Sequence, residues 1–547
     1  MPEIKVTCGG EVKTFQRAVT VLDVVGDSKD YVAAYVDHRV KELTYRIDHD
    51  CEVVPLTVKD EDAKHIYEAS VRFLVAMAMH NIHPELQIRF SYNVSRSVFM
   101  QILTPNVTSN GQMVLDLIKE MNRLVELDLP LVRKIISKEE AAKIFEEEGF
   151  QDKAAIMPYR PEKTAHIYDC NGYKNYMYSR MVPSTGYVNK WRVRFYHPGI
   201  MIQYPRSEAG GEIPPFEEAP TFGKTLKRVH QWSISTKADT IVGINEHIEN
   251  EGQIDFINLC ESKHNQQIVE LGDMIENDLE NIRLICIAGP SSSGKTTFAN
   301  KLRIELMSRG INPIRISLDD YYKPKSEAPK DEDGNPDLES IDALDIDLFN
   351  QNMSDLISGL AVDLPKFDFK VGHRVFGRRL SIPQDQPIII EGIHALNERM
   401  TASIPGHQKF KIFIAPQAQI SIDNHNPLSS TDLRLVRRIV RDYQFRGSSA
   451  IETINMWPSV RKGEFKWIYK TEEGANYVFN SLLPYELCVM KKYAMPLLEQ
   501  IKPEDECFPI AERLIRSLKF FIDLPDTWIP CNSLIREFIG GSCFADV

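Results

Sequence analysis

The chain has 547 residues, 43% of them hydrophobic and 26% charged, with a formal net charge of −12. That length allows three or four domains with substantial cores, and the acidic balance excludes a nucleic-acid-binding surface spread over the whole molecule. No apolar run reaches membrane-spanning length and the start, MPEIKVTCGG, lacks a signal-peptide core, so a cytoplasmic protein with no membrane partner is expected.

In residues 1–58, Ile4 to Thr7, Tyr31 to Val36 and Glu52 to Leu56 are strand-like, Gly9-Gly10 marks a hairpin turn, and Val19 to Val25 is a candidate helix. The segments IKVTCGGEVKTF, TVLDVV and DHDCEVVPLT resemble a TGS domain, the ubiquitin-like β-grasp module at the N-terminus of threonyl-tRNA synthetases. The resemblance implies RNA or nucleotide sensing. Residues 1–60 nevertheless hold 8 Lys and Arg against 11 Asp and Glu, which weighs against RNA while leaving tRNA open as a partner.

Residues 60–206 resemble the α+β editing domain that follows TGS in those synthetases. The resemblance lies in a helix from about Ala63 with Ile66, Ala69, Phe73, Leu74 and Met77 on one face, in Asp169-Cys170-Asn171-Gly172, and in the Met181 to Gly186 segment. The family's H-x-x-x-H pair falls on Glu68 and Arg72 and its later His on Met181 or Lys174, so of the editing residues Cys170 alone is retained. Glu68 and Arg72, one turn apart, are expected to form a helix ion pair, which implies a scaffold without the editing chemistry. His65, His80 and His83 are taken as structural. The nine cysteines stand singly with no CxxC pair, predicting reduced thiols, no zinc site and no disulfide. Residues 207–281 form a Pro- and Gly-rich linker followed by a helical connector.

Residues 282–500 carry the chemistry. Leu284 to Ala288 is an apolar strand, and it runs into Gly289-Pro290-Ser291-Ser292-Ser293-Gly294-Lys295-Thr296-Thr297, which opens a helix bearing Phe298, Leu302 and Leu306. In this strand, glycine loop and helix, backbone N–H groups close around phosphate oxygens, Lys295 reaches the β/γ-phosphates and Thr296 ligates Mg²⁺, so ATP and Mg²⁺ are the expected cofactors. A second strand, Pro313 to Leu318, delivers Asp319 and Asp320 at its C-terminal end, where a carboxylate can take a hydroxyl proton. A third, Pro387 to Ile390, ends in Glu391, a second metal or phosphate contact. A helix capped by Ser430-Thr431-Asp432 carries Arg434, Arg437, Arg438 and Arg441 on one face and is followed by Arg446-Gly447, an arrangement suited to neutralising phosphate charge from a lid.

The motifs GPSSSGKTT, SLDDYYK, IDALD, LPKFDFKVGHR, IIIEGIHALN and STDLRLVRRIVRDYQFRG together resemble the uridine kinase and phosphoribulokinase family. The fold so implied is a P-loop kinase with a parallel sheet and flanking helices, the last part of an α/β multidomain chain. The resemblance implies Asp319 as general base, Asp342 on ribose hydroxyls, and Tyr322, Phe367, Phe369 and Arg374 in the acceptor pocket. It also implies Arg438, Arg441 and Arg446 on the phosphates, and a homo-oligomer. Two positions depart: Gly372 stands where pyrimidine nucleoside kinases place a base-contacting His, and Ser448 where an Arg is expected. Residues 501–547, with an apolar helix over Leu514 to Phe521, end in a segment in which Arg536 and Glu537 are expected to anchor packing. The reading is a nucleoside kinase; beside it stand a kinase for a sugar or other polyol, a tRNA- or ribosome-linked regulatory NTPase, and a surviving deacylase.

Overall fold

The computed structural model describes residues 3–330, 334, 336–368, 371–383, 385–417 and 420–545. The chain opens with β1 (Ile4–Cys8), β2 (Glu11–Phe15), α1 (Val21–Val25), β3 (Tyr31–Val36), β4 (Arg39–Lys41) and β5 (Cys51–Thr57), whose strands make one sheet in the order β2-β1-β5-β3-β4. Thr20 and Asp23 form a capping box that starts α1 at Val21, so Val19 and Thr20 lie in a short strand instead of the helix.

Next, α2 (Glu61–Ile82) starts two residues ahead of Ala63, and α3 (Gly111–Leu127) packs against it. Around them are β6 (Ile88–Val94), β7 (Ser97–Ile102), β8 (Val132–Ser137), β9 (Thr164–Cys170), β10 (Tyr173–Asn175), β11 (Arg192–Tyr196) and β12 (Gly199–Gln203). They form two antiparallel sheets, β8-β9-β10 and β11-β12-β7-β6. The connector contributes α4 (Pro220–Ser235) and α5 (Gln253–Glu276).

The remainder is built on β13 (Leu284–Ala288), buried along its whole length as a strand covered on both faces must be. It is followed by α6 (Lys295–Ser308), β14 (Ile314–Ser317), the antiparallel hairpin β15 (Val362–Asp368) and β16 (His373–Leu380), β17 (Ile388–Glu391) and β18 (Lys409–Ala415). Then come α7 (Ser430–Arg441), α8 (Ala450–Gly463), β19 (Tyr477–Asn480), α9 (Glu486–Leu498), α10 (Phe508–Leu518) and the short α11 (Arg536–Ile539). The sheet β14-β17-β13-β18-β19 is parallel throughout, which brings the ends of β13, β14 and β17 together. The cap of α7 is Ser429, not Ser430 to Asp432, and α10 begins six residues before Leu514.

The front part and the kinase-like part share cores. One apolar cluster runs from Ala141 and Phe145 through Ile257 and Leu271 of α5 to Ile285, Leu435 and Ile539. A small hairpin of the second part (strands Ser421–Asp423 and Asn426–Pro427) plugs into the first. Lys153 Nζ lies 2.7 Å from Asp423 Oδ1 with both side chains fully buried. Arg72 Nη1 donates to His425 O at 2.6 Å, Phe90 N to Asn424 O at 2.8 Å, and Asn426 Nδ2 to Tyr176 O at 3.0 Å. Burial, with Lys153 and Arg72 adjoining, holds the His425 ring well below its ordinary pKa. The expected Glu68–Arg72 ion pair is not formed, because Arg72 is drawn to this hairpin instead.

Candidate active site

The loop after β13 has two residues in the left-handed region, Ser292 at φ 59° and Gly294 at φ 89°. Glycine is required by space as well: a Cβ on Gly289 would stand 1.9 Å from Ile414 O, and one on Gly294 2.3 Å from Leu534 Cδ2. The hydroxyls of Ser292, Ser293 and Thr297 are buried without a partner, the state of groups built to receive one. Lys295 Nζ folds back onto Gly289 O at 3.1 Å and Pro290 O at 3.2 Å. Burial lowers its pKa, opposed by the charges of Glu391, Asp319 and Glu537. Thr296 follows it in the first turn of α6.

Asp319 lies two residues past the end of β14, and Glu391 ends the neighbouring β17, in register with Ser317. Glu391 is 5% exposed. Burial and the Asp319 charge push its carboxyl up to about 7, against Arg315, Lys295 and a hydrogen bond to Ser317. Asp320 turns away and accepts the Phe367 N–H at 3.2 Å. A third carboxyl, Glu339, comes from outside the recognisable motifs. Burial and the Glu464 charge raise it to about 7, with Arg438, Lys295 and Asp319 also acting on it. Two carboxyls held above their ordinary range, Glu391 at a strand end and Glu339, gathered beside a phosphate loop mark a reactive centre.

The arginine row of α7 divides by function. Arg434 makes a bidentate pair with Glu464 at 2.6 and 2.7 Å, and Arg437 one with Glu486 at 2.7 and 2.6 Å. Both are buried and lean on loop carbonyls, Ser291 O for Arg434 and Ser292 O for Arg437. They brace the loop and do not belong to a lid. Glu464 also takes the Ser291 N–H at 3.3 Å. Arg438 Nη1 reaches Ser291 Oγ at 2.8 Å. Asp442, which spacing does not single out, holds the rest: Arg438 Nε at 3.2 Å, Arg441 Nη2 at 2.7 Å and Arg446 Nε at 3.6 Å.

On the acceptor side the rings of Tyr322 and Phe367 stand 5.8 Å apart. Arg374 pairs with Asp345 at 2.9 Å, and Asp342, half exposed, pairs with Arg399 at 2.6 Å. Phe369 lies outside the described residues. Gly372 occupies the β15–β16 turn at φ 81°, in the left-handed region that favours glycine.

Residues 284–486 match the model of the phosphoribulokinase/uridine kinase family. A uridine kinase of Staphylococcus haemolyticus is 32% identical over 184 residues, 34% of this chain and 80% of that protein. The chain belongs to the phosphoribulokinase/uridine kinase family. Its N-terminal region is similar to a threonine–tRNA ligase of Symbiobacterium thermophilum, with 25% identity over 236 residues that make up 42% of this chain. The match spans about a third of the ligase, 34% of its length. Among solved structures, a D-glycerate 3-kinase of Cryptococcus neoformans overlaps 46% of this chain and 87% of its own at 16% identity and a TM-score of 0.22.

One feature of this family member lies in its C-terminal segment. Glu537 Oε2 accepts the Thr297 N–H at 3.0 Å, in the first turn of α6. Leu534 covers Gly294, and Phe538 lies under the Arg437 guanidinium at 5.0 Å. Glu537 is therefore not just a packing anchor: its carboxylate is an anion held by the phosphate loop. The signal for it is absent from local pattern, since 240 residues separate the partners.

Proposed function

We propose that this protein is a kinase that uses ATP and Mg²⁺ to phosphorylate a hydroxyl of a small molecule, the 5′-hydroxyl of a nucleoside. The observation that carries the reading is the phosphate loop facing two carboxylates, Asp319 and Glu391, on adjacent strand ends. The residues fit the nucleotide: buried unpartnered hydroxyls line the loop, and one of its amides already holds a carboxylate. Thr296 and Glu391 offer the hard oxygen ligands suited to Mg²⁺. MgATP supplies the phosphoryl group and a leaving group.

The chain's own residues do the rest. Asp319 removes the proton from the acceptor hydroxyl. Lys295, with Arg438, Arg441 and Arg446, stabilises charge spread over the transferring group, and Asp442 sets the arginines' orientation. Tyr322 and Phe367 offer a ring-lined acceptor wall, and Asp342 a carboxylate for sugar hydroxyls. A sugar or polyol acceptor is the second reading, favoured by the turn at Gly372, which supplies no base-binding side chain there.

In this reading the chain divides into a TGS-like unit (1–58), an editing-like unit (60–206), a connector (207–281), the kinase (282–500) and an extension (501–547), working in the cytoplasm. The editing-like unit serves as scaffold: Cys170 is fully buried and its thiol is raised to about 11 by burial and Asp169, so it is no nucleophile. The test is ATP consumption against a panel of nucleosides, sugars and polyols, with and without bulk tRNA. A nucleoside giving stoichiometric phosphorylated product, lost in Lys295→Ala, supports the proposal. Hydrolysis stimulated by tRNA with no acceptor would replace it with an RNA-linked NTPase.

A further inference from the structure

A cavity well away from the phosphate loop lies between the two parts of the chain. It encloses about 800 Å³ where the front part meets the kinase, walled by α2, the start of α7, α8 and α10. That volume is in the range of small-molecule sites. Its wall carries nine Lys and Arg side chains against six Asp and Glu, in a protein whose net charge is −12. Five of those acids are matched by four of the cations: Glu61 by Lys64, Glu208 by Arg206, Glu512 by Arg180, and Asp62 and Asp432 together by Arg513. The surplus is positive, and it sits in a recess where screening by water is reduced.

Two groups on this wall are built but unsatisfied. Arg72 is only 7% exposed and makes one hydrogen bond, to His425 O, leaving its Nε buried without a partner. Ser91, also buried, has an Oγ with none. A guanidinium kept in a recess with unused donors costs free energy unless something accepts from it. The wall also includes Lys466, whose ammonium lies 4.9 Å from the Trp467 ring. From these observations we propose that the cavity is a binding site for a small anion bearing phosphoryl or carboxylate groups, separate from the kinase centre. The site faces that centre through direct contacts: Arg461 on the wall pairs with Glu464, which holds both Arg434 and the Ser291 N–H of the phosphate loop.

The test is calorimetric titration of the full chain carrying Lys295→Ala, which weakens the loop's own hold on anions, with pyrophosphate and with citrate as probes. One equivalent of a probe should bind saturably at millimolar or lower concentration. Arg72→Gln should weaken binding at least tenfold, Arg72→Lys should keep most of it, and Lys466→Glu, at an exposed position that does not threaten folding, should weaken it about threefold or more. Preference for pyrophosphate identifies a phosphoryl ligand, preference for citrate a carboxylate one. No saturable binding, or binding indifferent to both Arg72→Gln and Lys466→Glu, overturns the proposal.

Discussion

Removing the Glu537 charge should tighten nucleotide binding. A phosphate oxygen arriving at the first turn of α6 needs the Thr297 N–H that Glu537 now takes at 3.0 Å. That contact must break first, so the apparent affinity is reduced by its strength. A hydrogen bond to a charged acceptor contributes about 1.5–3 kcal/mol, roughly twice a neutral one. Glu537→Gln keeps an acceptor oxygen and removes the charge, giving up about 1 kcal/mol, which corresponds to a Kd lower by about fivefold. Glu537→Ala gives up the whole contact, and the gain rises to about tenfold or more. Fluorescence titration with a non-hydrolysable ATP analogue at constant Mg²⁺ reads both. Unchanged affinity in both variants would refute competition at Thr297. Weaker affinity in both would mean that Glu537 contributes to the bound state.

Asp319→Asn should lower turnover about a hundredfold or more while nucleotide affinity stays within about twofold, measured by steady-state kinetics and titration; equal losses would reject Asp319 as the base. Glu391, lifted to about 7, is protonated below that pH, and a divalent ion must displace the proton. Mg²⁺ affinity should therefore fall as pH is lowered through about 7, and titration of Glu391→Gln should show the slope gone. Lys153→Met leaves Asp423 charged and buried, and should cost about 3–5 kcal/mol in chemical denaturation. Lys153→Met with Asp423→Leu should recover only part of that loss: both charges are removed together, but the His425 N–H and the Asn426 amide lose the carboxylate that accepts from them.

What could be seen in the sequence follows the length scale of each contact. Gly289 to Thr297 is one continuous stretch whose chemistry depends on neighbours in the chain, and the strand, loop and helix form as its pattern dictates. The ends of β14 and β17 are legible for the same reason, because a carboxylate after an apolar run has its position set by the strand. Glu339, Glu464 and Glu537 belong to the site through partners far along the chain, 173 residues away for Glu464 and Ser291. The spacing of the α7 arginines puts them on one face but cannot say that Glu464 and Glu486 await two of them. Arg72 reaches farther still: its backbone partner lies 353 residues on.

That last contact bears on why the front part is present at all. A tethered accessory unit would keep its own core and meet the kinase through an exposed surface. Here Lys153 and Asp423 are buried as a pair, and apolar residues of both parts form one cluster. Desolvating two charges is tolerable only with the partner in place, so neither side of the 421–427 junction is suited to standing alone in water. The same chain segment that enters the front part leads directly into α7, whose arginines brace the phosphate loop. The position of α7, and with it the loop, thus depends on the junction being made. In limited proteolysis, Lys153→Met should expose the 421–427 region and α7 together; cleavage confined to the front part would show that the kinase holds α7 unaided.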